Sequence, residues 1–383
     1  MSLARCAAMH HEENRPTRRG FLLGAAGVTT AGALACRSQP QTLEQKTAAG
    51  PVPPPSLQRT NASSAPNTSA SPEARREAHG VPKRKLGRTG AMVSMLGMGG
   101  FHIGTPVLSD EDAVRLIRRA IDEGITFLDN CWDYNRGKSE ARMGQALEGG
   151  YRNKVFLMTK LDGRTAESAR AQLGQSLARL KTDHIDLVQV HEVIRMSDPE
   201  RVFAKNGTLD ALVEARREGK LRFIGFTGHK DPTIHLTMLE TAKKHGFTFD
   251  TVQMPLNVMD AQYVSFEKAV LPRLLEQQIG VLGMKSMGAG DILKSGVVEP
   301  EECLRYALSL PTSVVITGID SDRVLDQDLA LARAFRPLAA DEKTALLARA
   351  ADAAKDGKYE LFKTSHKYDG TEANRHWLEE ARI

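Results

Sequence analysis

The chain has 383 residues, 41% of them hydrophobic, enough for a sizeable core, so a wholly disordered polypeptide is excluded. Its four cysteines include no C-x-x-C pair, which rules out a disulfide-rich scaffold and gives no zinc or iron–sulfur spacing. The formal charge of +5 divides into +2 over residues 1–36, +2 over 37–80 and +1 over 81–383, so the near-neutral body offers no electrostatic case for nucleic acid.

Thr17-Arg18-Arg19-Gly20-Phe21-Leu22-Leu23 sets an arginine pair directly before Phe21–Ala35, a charge-free stretch of 15 residues rich in Gly, Ala and Thr. A membrane-spanning helix needs about 20 predominantly apolar residues, so this stretch is too short for a permanent anchor. It resembles a Tat export signal, in which the arginine pair is an address read by a receptor. Ala33-Leu34-Ala35 fits a small-residue cleavage site and leaves Cys36 first in the mature chain. A lipid on Cys36, as in bacterial lipoproteins, would be the one membrane attachment; the leucine usual three residues before such a cysteine is Ala33 here. Residues 1–35 are thus expected to be a signal peptide, with the Tat machinery as partner and the periplasm or cell envelope as destination.

Residues 36–80 follow as a linker. Seven of the chain's 17 prolines lie between 37 and 80, amid Ser, Thr, Ala and Gln, and no aromatic residue does. Such a segment buries too little apolar area to offset its ordering entropy, so a disordered spacer is expected.

From Val81 to Ile383 strands and helices alternate. Eight short β-branched or apolar runs read as strands: Ser94–Gly97, Thr126–Asp129, Val155–Thr159, Ile185–Val190, Phe223–Phe226, Thr251–Gln253, Val281–Gly283 and Val314–Thr317. Between the first two, Ala113, Leu116, Ile117, Ala120 and Ile121 share one helical face, and Ser109-x-x-Asp112 is a capping-box-like start. Leu173, Leu177 and Leu180 mark another apolar face, and Asp231-Pro232 reads as an N-cap with Pro at the first helical position. Eight βα units in about 300 residues predict a (β/α)₈ TIM barrel, and no G-x-G-x-x-G follows the first strand to support a dinucleotide-binding open sheet. In a barrel the chemistry sits at the C-terminal ends of the strands.

Those ends carry Asp129 and Tyr134 after the second strand, Lys160 at the third and His191 at the fourth. A lysine beside a phenol is expected to lower the tyrosine pKa, the carboxylate to hold the lysine charged, and the imidazole to orient a carbonyl oxygen. Such a set suits proton donation to a carbonyl that is receiving a hydride.

In these residues the sequence resembles the aldo/keto reductase superfamily, from about Lys83 to the end. Lys85-Leu86-Gly87-Arg88-Thr89-Gly90 looks like the family's N-terminal β-hairpin cap under the barrel. Ser94 to Gly100, Asp129-x₄-Tyr134, Gly137-Lys138-Ser139-Glu140, Met158-Thr159-Lys160 and Asp186 to His191 follow in family order. The resemblance implies that Asp129, Tyr134, Lys160 and His191 form the catalytic tetrad, with Tyr134 as general acid/base. It implies a cofactor-binding set of Gly99, Gly100, Thr227, Gly228, Gln253, Met284, Lys285, Ser286, Met287, Gly288, Gly318, Asp320, Arg323, Gln327 and Asp328. Thr227 stands for the usual Ser, Gly228 for the usual Asn, and Met284 for the frequent nicotinamide-stacking aromatic. NADP(H) is the family default; Asp320 and Asp322 are poor neighbours for a 2′-phosphate and Arg323 is the one cation nearby, so NAD(H) stays open. His102, Trp132 and His229 lie just past strand ends as candidate substrate residues. The stretch from Tyr359 to Trp377 reads either as a tail over the mouth or as a surface helix. No ligand spacing for a metal appears.

The expected function is therefore NAD(P)(H)-dependent interconversion of a carbonyl (aldehyde or ketone) and an alcohol. The alternative is an exported cofactor- or ligand-binding protein on the same barrel, with little turnover. Free nicotinamide nucleotides are scarce outside the cytoplasm, so an exported enzyme is expected to carry its cofactor tightly held and to recycle it between two substrates.

Overall fold

The computed structural model describes residues 80–379. The expected signal peptide, Cys36 and all but the last linker residue lie outside this range.

The chain enters through an antiparallel hairpin, β1 (Lys83–Lys85) with β2 (Met92–Ser94). Eight parallel strands then close a barrel: β3 (Leu96–Gly99), β4 (Phe127–Asp129), β5 (Phe156–Leu161), β6 (Ile185–Val190), β7 (Leu221–Thr227), β8 (Thr251–Pro255), β9 (Gly280–Met284) and β10 (Val314–Gly318). Each pairs with the next, and β10 returns to β3 through Val315↔Leu96 to Gly318↔Gly99. The (β/α)₈ barrel and its hairpin are as the sequence predicts.

The strands are covered on both faces, so β5 and β6 are buried at all six positions each. The hairpin plugs the N-terminal end. Leu86 and Val93 pack into a cluster with Phe127, Phe156, Met158, Leu187, Leu282, Val314 and Ile316. Gly87 makes that fit: at φ +50, a Cβ there would lie 2.3 Å from the Gly280 amide nitrogen.

The helix Asp110–Asp122 buries the five predicted residues, and the Ser109 hydroxyl oxygen accepts from the Asp112 amide at 3.0 Å. Asp231 likewise caps Pro232–Lys244, accepting from Thr233 N at 2.7 Å. Seven of the eight predicted strands shift by one or two residues at one or both ends, and two of these shifts are informative. The first barrel strand starts at Leu96 because the Ser94 side chain is occupied locally, donating to Leu96 O at 2.7 Å and accepting from Thr126 N at 2.9 Å. The third extends to Leu161, which puts Lys160 inside the strand rather than on a free loop. Among the described residues no helix is long and apolar enough to cross a membrane.

Candidate active site

A cavity of about 660 Å³ opens at the C-terminal ends of the strands, and Asp129, Tyr134, Lys160 and His191 all line it. Asp129 ends β4, and the chain then turns through Tyr134–Gly137, where Asn135 (φ 52°) and Arg136 (φ 58°) are both left-handed. That is a costly backbone for two non-glycine residues in a row. Asn135 offsets part of the cost by donating to Phe101 O at 2.8 Å and Ser139 Oγ at 3.0 Å. The turn aims Tyr134 back over the cavity.

The Lys160 ammonium is the hub. It donates to Asp129 Oδ1, to Asn130 O at 2.7 Å and to Tyr134 Oη at 3.3 Å. Asp129 Oδ2 accepts from Gln253 Nε2 at 3.1 Å. This pairing corrects one expectation. Asp129 offsets the pull of Lys160 on the phenol; burial, and then the negative charge of Asp129, raise the Tyr134 pKa well above its ordinary value. Burial and Asp129 thus favour the neutral phenol of Tyr134 over a resting phenolate.

His191 follows β6, its ring edge-on to Tyr134 with centroids 5.9 Å apart. Its Nδ1 lies 2.8 Å from Asp162 Oδ1, 3.3 Å from Cys131 Sγ and 3.8 Å from Asp133 Oδ1. Sequence spacing shows no such grouping, yet the fold brings one polar atom from each of these four residues within 4.8 Å of the others. Burial, and then the negative charges of Asp133 and Asp162, raise the Cys131 thiol well above the usual range, so it is an inert buried group.

Of the expected cofactor residues, Gly99, Gly100, Thr227, Gln253, Met284, Lys285, Ser286, Met287 and Gly318 line the cavity. The rest do not. Gly228 sits behind the wall, where a Cβ would meet Val193 O at 2.3 Å, and Gly288 faces Ile292 and Tyr359. Asp320, Arg323, Gln327 and Asp328 lie beyond the cavity rim; Arg323 spends one guanidinium nitrogen on Gln327 Oε1 at 3.1 Å. Asp328 is nevertheless buried at 6% exposure, burial pushes its carboxyl up to about 7, and its Oδ2 has no hydrogen-bond partner among the described residues. Gln253 Oε1 is a second buried acceptor without a partner there. Lys285, left-handed at φ 55°, has no ion pair within the described residues; its Nζ stands 4.4 Å from the Tyr368 ring centroid, and burial lowers its pKa to about 8.

His102 and His229 line the cavity, whereas Trp132 does not. Its indole N–H donates to Gln175 Oε1 at 2.6 Å and its ring meets Trp377 edge-to-face at 5.6 Å, so it packs beneath the tail instead of walling the substrate space. His102 stacks over Gly318, where a Cβ would come within 2.3 Å of the imidazole. His229 Nε2 lies 3.1 Å from Asp369 and so anchors the C-terminal tail.

That tail covers the mouth. Glu192 accepts from the amides of Gly370 at 2.9 Å and Thr371 at 2.7 Å, Lys230 pairs with Asp369 at 2.9 Å, and Tyr368 Oη donates to Asp291 at 2.8 Å. Lys367, Tyr368 and Gly370 become wall residues, with Phe101, Asp133 and Glu192. None of these six was singled out from the sequence, although the reading of Tyr359 to Trp377 as a tail over the mouth spans Lys367, Tyr368 and Gly370. Asp133 and Glu192 adjoin the tetrad, so the strand-end rule had the signal to find them; the tail residues are brought in only by long-range contacts.

The comparisons with known proteins agree with this architecture. Residues 95–302 match the Aldo/keto reductase family. The aldo-keto reductase YhdN of Bacillus subtilis is 32% identical over 53% of this chain and 61% of its own length. The L-galactose dehydrogenase of Arabidopsis thaliana is 35% identical over 39% of this chain and 49% of its own. The matched part of the chain thus spans about half to two thirds of these relatives. Among solved structures, the holo form of an aldo-keto reductase from Bacillus halodurans has a TM-score of 0.60 at 23% identity, covering 73% of this chain and all of that one. A putative aldo-keto reductase from Pseudomonas aeruginosa reaches 0.54 at 25% identity, over 66% of this chain and 94% of its own. With the closed eight-stranded barrel, its hairpin and more than half of the sequence matched, the chain belongs to the aldo/keto reductase family.

Proposed function

We propose that the protein interconverts a carbonyl and an alcohol by hydride transfer with a nicotinamide nucleotide, with Tyr134 donating the proton in the reducing direction. The observation that carries this reading is the convergence of Asp129, Lys160, Tyr134 and His191 on one cavity at the strand ends. A neutral phenol on a charged Lys160 and a cavity-facing imidazole supply a donor and an orienting group for one carbonyl oxygen. The proton leaves Tyr134 Oη as that oxygen gains charge, and Lys160, 3.3 Å away, steadies the phenolate that forms.

The residues present fit the nucleotide. Gln253 Oε1 and Thr227 offer polar atoms to a carboxamide, Met284 a polarisable surface to a ring, and the unpaired Lys285 a counter-charge to phosphate. A bound nicotinamide would supply the hydride. Arg323, the cation of the adenosine-phosphate segment, is tied to Gln327 Oε1, which keeps NAD(H) beside NADP(H).

The twin-arginine segment supports export by the Tat pathway, with the protein held in the periplasm or envelope and a lipid on Cys36 as its attachment. Protein purified from the exported fraction, denatured and analysed by chromatography, is expected to release close to one equivalent of NADP or NAD. An empty pocket that also fails to bind added nucleotide would contradict the reading and favour a ligand-binding protein.

A further inference from the structure

The groups behind His191 determine which of its nitrogens carries a proton. Nδ1 faces Asp162 Oδ1 at 2.8 Å, and a carboxylate only accepts, so Nδ1 is the donor of that bond. Asp162 is wholly buried, and its backbone is fixed by Gln172, whose Oε1 accepts from Asp162 N at 2.8 Å, and by Arg164, whose Nη1 donates to Asp162 O at 2.7 Å. Nε2 has no hydrogen bond to any described residue, and the ring lines the cavity. A neutral ring with its proton on Nδ1 presents a lone pair at Nε2 to the substrate. It would accept a hydrogen bond, and a carbonyl oxygen has none to give. Nε2 can donate to a carbonyl only as part of an imidazolium.

We infer that Asp162, supported by Asp133, is a positioning residue that holds His191 as an imidazolium with Nε2–H aimed at the substrate oxygen. The inference rests on the hydride-transfer reading for its catalytic consequence and on geometry for the rest. Asp133 Oδ1 lies 3.8 Å from Nδ1 and is buried without a hydrogen-bond partner among the described residues, as is Asp162 Oδ2. Two carboxylates with unsatisfied buried oxygens are costly without a cation nearby, and the imidazolium is the group placed to be that cation. The titratable and charged groups around the ring are Lys160, Asp162 and Arg164 from the β5 side, Cys131, Asp133 and Tyr134 from the β4 loop, and Glu192 beside it. Arg164 is already paired with Asp198 at 3.0 Å and Lys160 with Asp129, so the negative groups prevail. Burial by itself would lower the His191 pKa, but Asp162 and then Asp133 and Glu192 outweigh it and raise it above the ordinary histidine value. Burial and Asp162 push Asp133 up to about 7, so Asp133 is the first acid of the group to take up a proton as pH falls.

Nitrogen NMR of the full chain labelled in its histidines tests this without turnover, with His191→Gln used for assignment. Wild-type His191 is expected to show both nitrogens protonated at pH 7, and Asp162→Asn a neutral ring, its titration moved down by more than about one pH unit. Asp133→Asn is expected to give a smaller shift in the same direction, and serves if Asp162→Asn does not fold. A neutral wild-type ring, a titration indifferent to both substitutions, or a metal ion bound at Nδ1 would overturn the inference. In turnover, Asp162→Asn is expected to lower reducing kcat at least about tenfold at pH 7 and to move the basic limb of its pH profile down, with nucleotide affinity unchanged. The NMR result stands even if no carbonyl substrate turns over, so the two readings fail separately.

Discussion

The two ends of the barrel are built from the same strands and differ in almost everything else. Along β4 the inward positions run from Phe127 to Asp129, along β5 from Phe156 through Met158 to Lys160, and along β6 from Leu187 through Gln189 toward His191. The lower layer is an apolar plug closed by Leu86 and Val93, with Phe127 and Phe156 stacked at 5.4 Å. The upper layer buries Lys160, Asp129, Asp162, Glu192, His191 and His229, and leaves oxygens of Gln253, Asp133 and Asp162 without partners among the described residues. Two to four positions along a strand separate packing from chemistry: Phe127 from Asp129, Phe156 from Lys160 and Leu187 from His191. The lower layer supplies stability, and the upper spends some of it on groups that only a ligand or a proton can satisfy.

Substitutions at the two ends should therefore have opposite signatures. The largest effect on stability is expected at the lower end, where Phe127→Ala removes a ring from a closed cluster and should cost about 3–5 kcal/mol in denaturant unfolding. Its hydride-transfer rate per folded molecule should stay within about twofold of wild type. A smaller effect lies behind the barrel wall and is read by pH. His235, packed between Phe226 and Phe266 behind the β7 and β8 strand ends, is lowered to about 3, chiefly by burial. Because its folded pKa lies below the unfolded value near 6.5, the stability it contributes is present above pH 6.5 and is lost as pH falls toward 3. Between pH 6.5 and 5 the loss is about 2 kcal/mol, and His235→Leu should remove that part of the acid sensitivity in thermal scans at the two pH values. An unaltered pH dependence in that variant would mean that His235 is not the group responsible.

The sequence shows the barrel well because its signals are local. β-branched runs, helix faces such as Ala113 to Ile121, and the caps at Ser109 and Asp231 each need only neighbours in the chain. The tetrad is legible for a related reason: Asp129 ends β4 and Tyr134 follows it, Lys160 is next to last in β5 and His191 follows β6, so topology gathers them at three adjacent strand ends. The charge state of Tyr134 is not legible, since it depends on how completely Asp129 neutralises Lys160 in three dimensions. Trp132 reads from its position as a candidate substrate residue, and only the contact with Trp377, 245 positions on, places it under the tail. Asp162 lies two residues beyond Lys160 and carried a signal by position, but its partner, the Nδ1 atom of His191, is 29 residues away.

The most direct test of the central claim follows one hydrogen. With nicotinamide nucleotide deuterated at the transferring carbon and a panel of aldehydes and ketones, mass spectrometry of the products reads hydride transfer independently of any optical signal. Wild-type protein is predicted to place deuterium on the carbinol carbon of at least one product, and Tyr134→Phe to lose at least about three orders of magnitude in that rate while binding nucleotide with affinity near wild type. Equal deuterium transfer by wild type and Tyr134→Phe would contradict the account by removing the tetrad from the chemistry.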